Sequence, residues 1–223
     1  MKNKILTALL GVFVVIFLIT FSIGLPIYFR PFYYMQIEPL EIERRTGFTR
    51  EEIIEGYDEV LDYLTVPGGE FGIGKFAYSE EGKSHFEDCK LLFDLNASLL
   101  ALSLGGIVAV MILLRKGVFK LARPLGCHYL LTCGAATLSV FAALGLIVSI
   151  DFNSAFEIFH KIFFPGKDNW IFNSFTDEII RALPQEFFMN CAILIASSII
   201  LVSVGFIAFG IIEKRNKNTA ETA

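Results

Sequence analysis

The chain has 223 residues, 54% of them hydrophobic, with a net charge of −4 and a mean hydropathy of +0.60. An average soluble domain holds about 45–50% apolar residues, so this composition excludes a freely soluble protein. Its acidic balance argues against nucleic acid, which requires a basic face.

The apolar excess falls in four runs, residues 5–29, 91–114, 125–150 and 188–212. Each is long enough to cross a hydrocarbon core about 30 Å thick. The first follows Lys2 and Lys4 like a signal peptide. However, it exceeds the roughly 7–15 residues of an h-region and ends in Ile27-Tyr28-Phe29-Arg30 rather than at a small-residue cleavage site. It reads as a retained helix.

Residues 30–90 form the first long connection. Tyr28 to Met35 is rich in aromatics, as at a membrane interface. Thr49 is placed to cap a helix with Glu51 and Glu52 in its first turn. Ile53, Ile54, Tyr57, Val60, Leu61 and Leu64 then recur every three or four residues, and Val66-Pro67-Gly68-Gly69 ends the pattern. The opposite face carries Glu51, Glu52, Glu55, Asp58, Glu59 and Asp62, and is expected to face water. Phe71, Ile73, Phe76 and Tyr78 alternate weakly, which predicts a short strand or extended segment. Ser84 is placed to cap the second apolar helix, with Glu87 at the capping-box position and His85, Asp88 and Cys89 on its first turns. Asp94 and Asn96 lie early in the 91–114 run.

Residues 115–124 are a short basic loop with Arg115, Lys116, Lys120 and Arg123, and the third run follows at 125–150. Residues 151–187 are the second long connection. A helix fits from Asp151 to Phe164, and Pro165-Gly166 stops it. Asp168 to Asn173 is a loop holding the only tryptophan, Trp170, and Thr176 to Leu183 reads as another short helix. The tail, 213–223, is basic. Residues 30–90 hold 14 Asp/Glu against 7 Lys/Arg, and residues 151–187 hold 6 against 3. Basic segments stay on the cytoplasmic side. Both termini are therefore expected inside. The expected fold is an integral membrane α-helical protein: four transmembrane helices with an extracytoplasmic cap formed by the two outer loops.

Three histidines are present. His128 lies near the inner end of the third run and reads as an interfacial residue. His85 and His160 each adjoin a membrane helix on the outer side, so the topology permits them to meet. Histidine is the side chain whose ordinary pKa, about 6.5, lets it take and give a proton near neutrality. Two readings of the pair compete. One is an acid/base pair at the membrane surface, with Asp88, Asp151 and Asp168 as candidates to orient an imidazole. The other is a metal site using His85, Asp88 and His160, but no zincin-type H-E-x-x-H is present and no fourth ligand stands out. The aromatics around His160, namely Phe152, Phe156, Phe163, Phe164, Trp170 and Phe172, are candidates to wall a dry pocket for acyl chains. Cys89, one helical turn after His85, has a small buried thiol as its simplest reading. The four cysteines form no C-x-x-C, there is no G-x-S-x-G elbow, and no cofactor is expected. A transporter would carry ionisable or broken-helix features at mid-membrane, which the spans lack. Gly105-Gly106 reads instead as close helix packing. A non-enzymatic four-helix protein whose cap binds a protein partner also fits the composition.

Two segments resemble a known family. Glu81-x-x-x-His85-Phe86-x-Asp88-x-Lys90, the run Asp151-Phe152…Phe156…Phe159-His160…Phe163-Phe164…Asp168-x-Trp170-x-Phe172, and the later Asp177…Leu183-Pro184…Phe187-Phe188 are similar to the lipoprotein intramolecular transacylases of Gram-positive bacteria. The resemblance covers most of the chain. It departs from the family pattern at Cys89, where an aliphatic residue would stand, and at Asn173-Ser174, where Asp-Pro would. It implies four membrane helices under an extracytoplasmic cap in a Gram-positive cell membrane, with His85 and His160 as the catalytic pair at the cap–membrane boundary. It implies a membrane-borne diacylglyceryl-lipoprotein as substrate, whose sn-2 acyl chain moves to the α-amine of the N-terminal cysteine to give the lyso-form. No acyl-enzyme is needed for this transfer. One histidine would take the amine proton while the other stabilises the oxyanion or protonates the departing glyceryl oxygen.

Overall fold

The computed structural model describes residues 1–222, with all their side chains except those of residues 125, 218 and 220–222. Ala223, the last residue of the predicted tail, lies outside the described residues. Nine α-helices and one 3-10 turn are described: α1 Lys2–Tyr28, α2 Pro31–Tyr34, α3 Ile42–Thr46, α4 Arg50–Thr65, α5 Glu80–Arg115, α6 Tyr129–Ile150, α7 Phe152–Phe163, α8 Ile179–Ala182 and α9 Gln185–Thr222, with the turn at Pro124–Gly126. Helices α1, α5, α6 and α9 are each long and apolar enough to cross a membrane.

Three of these helices do not coincide with the apolar runs. Helix α5 begins eleven residues ahead of its run (91 − 80). Its cap is Ser79, whose Oγ accepts from Gly82 N–H at 3.0 Å. Ser84, the predicted cap, is already inside the helix and accepts a side-chain hydrogen bond from Asn169 instead. Helix α6 starts at Tyr129 rather than 125, because Pro124 and the left-handed Gly126 (φ 74°) turn the chain first. Helix α9 runs on to Thr222, through the residues read as a tail.

The chain divides into two compact units. The first comprises residues 1–23, 97–149 and, of the described residues, 195–222. Small residues let its helices approach closely. A Cβ on Gly106 would meet the Phe13 ring at 2.6 Å, and one on Gly134 would meet the Ser203 carbonyl at 2.6 Å. Gly105 has no such neighbour. Backbone ends are tied by side chains: Thr7 Oγ accepts from Ala122 N–H at 2.8 Å, and Arg123 pairs with Glu213.

The second unit comprises residues 24–96 and 150–194. Its core is aromatic and aliphatic, drawn from both long connections: Tyr33, Ile37, Ile42, Ile53, Tyr57, Val60, Phe76, Phe86, Ile179, Leu183 and Phe187 are buried together. Helix α4 forms as its pattern predicts. Thr49 Oγ accepts from Glu52 N–H and Glu52 Oε2 accepts from Thr49 N–H, a reciprocal capping box. Ile53, Tyr57, Val60, Leu61 and Leu64 form its buried face. Much of its acidic face serves as an anchor rather than pointing freely to water. Arg30 pairs with Asp58 and Asp62, Tyr34 O–H donates to Asp58, Lys75 pairs with Glu52, and Gly74 N–H donates to Glu59.

Of the two forms expected near Phe71–Tyr78, a short strand or an extended segment, the strand does not form, and the stretch is irregular with a turn at Gly74 and Lys75. Its backbone bonds to carboxylates instead of to a neighbouring strand, with Ala77 N–H donating to Glu178 and Ser79 N–H to Asp177. The turn at Gly74 (φ +59°) presses on Gly56, where a Cβ would meet the Phe76 ring at 2.6 Å. Short α2 and α3 carry Tyr33 and Ile42 into the core. Tyr33 O–H donates to the Ala182 carbonyl at 2.8 Å, and its ring stacks on Tyr57 at 3.8 Å.

Candidate active site

The site is built on the first turns of α5, on α7, and on the loop that follows α7. Asp177 sets the start of α5: its Oδ1 accepts from Ser79 N–H at 2.8 Å and from Ser79 Oγ–H at 2.7 Å. A carboxylate at a helix N-terminus also meets the positive end of the helix dipole. Burial alone would raise Asp177, but the hydrogen bonds from Ser79 and Thr176 hold it below the usual carboxylate range. Gly82 leaves room for this contact, since a Cβ there would lie 2.2 Å from Asp177 Oδ1.

His85, Asp88 and Cys89 follow on one face of α5, and α7 brings His160 to meet them. Both imidazoles are buried, at 6% and 7% exposure, and their ring centroids are 5.8 Å apart. Phe164 flanks both rings, 4.9 Å from His85 and 5.8 Å from His160. Trp170 stacks on His160, Phe156 lies 4.3 Å from it, and Phe172 meets His85 edge-on at 5.5 Å.

Burial favours the neutral form of both histidines. Burial, with His160 nearby, lowers His85 to about 4, although Asp88 opposes the shift. Burial also lowers His160, although its bond to the Phe156 carbonyl opposes this. His160 Nδ1–H donates to that carbonyl at 2.7 Å, which fixes the tautomer and leaves Nε2 with its lone pair. His85 Nε2 lies 3.4 Å from Cys89 Sγ, and His85 Nδ1 is buried with no hydrogen-bond partner among the described residues.

Among the described hydrogen bonds none joins Asp88, Asp151 or Asp168, the three aspartates read as orienting candidates, to a histidine. Asp88 accepts from Asn169 Nδ2 at 3.0 Å and pairs with Lys167, bonds that hold it below the usual range against its burial. This latches the 165–173 loop, and with it Trp170 and Phe172, onto α5. Asp151 caps α7, accepting from Ser154 N–H at 3.1 Å and from its hydroxyl at 2.6 Å. Asp168 is exposed. The group that orients His160 is a backbone carbonyl, which no side-chain pattern reveals. Lys167 and Asn169, which hold the 165–173 loop to Asp88, are positions that residue spacing misses; the hint at them is that they flank Asp168. Asp177 stands in the segment that resembles the family, but its bonds to Ser79 are not legible there.

Of the six aromatics expected to wall a pocket, Phe156, Phe164, Trp170 and Phe172 contact a histidine ring. Phe163 instead packs on Phe159 and is 47% exposed. Phe152 lines a cavity of about 630 Å³ at the start of α7, together with Asn153, Arg45, Arg181, Gln185 and Met189. Among the described residues no group of three or more His, Cys, Asp or Glu is placed to hold a metal ion. The arrangement is suited to moving a proton and stabilising an oxyanion in a water-poor setting.

The sequence profile of the family described as "Lipoprotein intramolecular transacylase Lit" matches residues 8–188. The fold is similar to that of the membrane-integral Lit of Bacillus cereus, with a TM-score of 0.85 and 25% identity over 98% of each chain. Two variants of that protein match as well. The form with the H85R mutation gives a TM-score of 0.78 at 24% identity over 98% of this chain and 95% of that one. The form with the H85A mutation gives 0.77 at 25% identity over 96% of each. No curated protein matches the chain.

Proposed function

This chain belongs to the lipoprotein intramolecular transacylase family, Lit, and on that premise we propose that His85 and His160 carry its acyl transfer. The protein is a multi-pass membrane acyltransferase. The sn-2 acyl chain of a diacylglyceryl-lipoprotein moves to the α-amine of that lipoprotein's N-terminal cysteine. A C–N bond forms, a C–O bond breaks, and one proton travels from the amine to the glyceryl oxygen.

The observation that carries this assignment is the burial of two imidazoles with centroids 5.8 Å apart. Donor and acceptor belong to one molecule, so holding them in attack geometry supplies up to about 7–11 kcal/mol of the barrier. The rings of Phe156, Phe164, Trp170 and Phe172 exclude water from that geometry, and His160 Nε2 is available to take the amine proton. The basic segments lie in the cytoplasm, both termini with them, and the histidine-bearing unit lies outside. Ile158, Phe159, Ile162 and Phe163 form an exposed apolar face of α7. That face rests in the outer leaflet, as amphipathic interfacial helices do, and keeps His160 at the level of the substrate's ester bonds.

The test is mass spectrometry of a reporter lipoprotein co-expressed with the protein. Wild type moves one acyl chain onto the α-amine, whereas His85→Ala and His160→Ala, made at equal level, do not. A wild type that leaves the amine unmodified would defeat the assignment.

A further inference from the structure

We infer that Cys89 is a positioning residue: its thiol donates to His85 Nε2 and holds His85 in the tautomer with its proton on Nδ1. This rests on the transacylase reading of the histidine pair.

Cys89 lies one turn beyond His85 on α5, with Sγ 3.4 Å from Nε2. A thiol is a weak donor and its sulfur a weak acceptor, whereas the bare nitrogen of an imidazole is a good acceptor. The favoured polarity is therefore S–H toward nitrogen. The thiol keeps its proton, because burial pushes it up to about 12. No competing group decides the tautomer. Nδ1 meets no partner among the described residues, and the ring's other neighbours include Phe86, Phe164 and Phe172. Asp88 is bonded to Lys167 and Asn169.

The two histidines are thus set in opposite senses. His160 has Nδ1–H on the Phe156 carbonyl and offers a lone pair at Nε2. His85 offers a donor at Nδ1. His160 takes the proton of the attacking amine and returns it to the glyceryl oxygen as the C–O bond breaks. His85 stays neutral throughout and donates a hydrogen bond to the oxyanion of the tetrahedral intermediate. No bond to sulfur forms at any step, so Cys89 is not a nucleophile here.

The experiment uses the full-length protein in detergent with nitrogen-15 histidine. Only three histidines contribute, and nitrogen shifts distinguish a protonated ring nitrogen from a bare one. Wild type should show His85 protonated on Nδ1. Cys89→Ser keeps a donor and should keep both that tautomer and most of kcat. Cys89→Ala should lose the Nδ1–H preference and lower kcat about tenfold, the scale at which a partner fixing a histidine tautomer acts, with KM little changed. A wild-type His85 protonated on Nε2, or a Cys89→Ala variant with unchanged tautomer and kcat, would overturn the inference. The spectrum is read on the resting protein, so it stands apart from failure of the transacylase reading, which would show as absent N-acylation by wild type.

Discussion

The indole of Trp170 lies flat against the imidazole of His160, with centroids 4.7 Å apart and 27° between the planes. Tryptophan is the best aromatic face for a cation, worth about 0.5–2 kcal/mol. Burial favours the neutral form of His160, and in the proposed mechanism the ring becomes cationic while it holds the amine proton, where the stack would favour the transition state over the ground state. Trp170→Leu should lower kcat by about 2–30-fold, and Trp170→Phe by less, both with near-normal KM in a detergent assay of lyso-lipoprotein formation. Equal losses in the two variants would point to packing alone.

His160→Gln keeps the approximate volume of the ring's inner half but cannot move a proton as an imidazole does, and should reduce the rate by about 10²–10⁴. His85→Leu removes the donor offered to the oxyanion and should reduce the rate by about 10²–10³. If the two act as one unit, the double variant should be little worse than either single one. Additive losses would separate their roles.

The folded protein binds fewer protons than the unfolded chain between about pH 4, where His85 titrates, and about 6.5, where an unfolded histidine does. Across that window stability therefore rises with pH, and the histidine contribution is flat above it. Thermal unfolding in detergent should show a lower Tm at pH 5 than at pH 7.5, and His85→Phe should narrow the gap. The rate should climb between pH 7 and 8 as the acceptor α-amine, with an ordinary pKa near 8, loses its proton. It should show no separate inflection at 6.5. Such an inflection, abolished by His85→Gln, would mean that the ring is more hydrated than its burial suggests.

Lys167 and Asn169 bond to Asp88 and tie down the loop that carries Trp170 and Phe172, so on the proposed mechanism they should act on the chemistry through those two rings. Lys167 is half exposed, and ion pairs of this kind contribute about 0–1 kcal/mol to stability. Lys167→Met should leave Tm nearly unchanged yet lower kcat about tenfold, because the loop then holds its two rings less firmly. In a double-mutant cycle, Asp88→Asn and Lys167→Met should be non-additive in rate.

Gly82→Ala tests the start of α5. Alanine favours helix over glycine, so propensity alone predicts stabilisation. The 2.2 Å clash with Asp177 predicts the reverse, a loss of about 1–3 kcal/mol, measured as a reduced midpoint of unfolding. A stabilised variant would show that the Asp177–Ser79 bond yields easily.

How much of this was legible depends on whether a feature is periodic or local. The four spans declare themselves by length, and helix α4 by the spacing of Ile53, Tyr57, Val60 and Leu64 with Thr49 ahead of it. His85 and His160 could be assigned to one side of the membrane from the Lys/Arg distribution and a resemblance, but their approach could not. Asp151 reads in the sequence as a candidate to orient an imidazole, yet it caps α7, since both tasks need only a carboxylate ahead of an aromatic helix. Ser84 reads as the cap of α5, whereas Asp177, almost a hundred residues on, sets the start at Ser79. The Phe156 carbonyl was beyond reach in principle, because every residue has one.

The bond from Tyr33 to Ala182 joins residues 149 apart, and this separation bears on the order in which the protein matures. Tyr33, Ile53 and Tyr57 leave the ribosome long before Ile179 and Leu183, the partners that bury them. Contacts so distant in sequence form late and slowly. The catalytic surface is therefore absent during most of the chain's synthesis, and a truncated product ending before α7 lacks His160 altogether. An acyltransferase that works among the glyceryl esters of its own bilayer thus gains its second histidine only after α7 has been made.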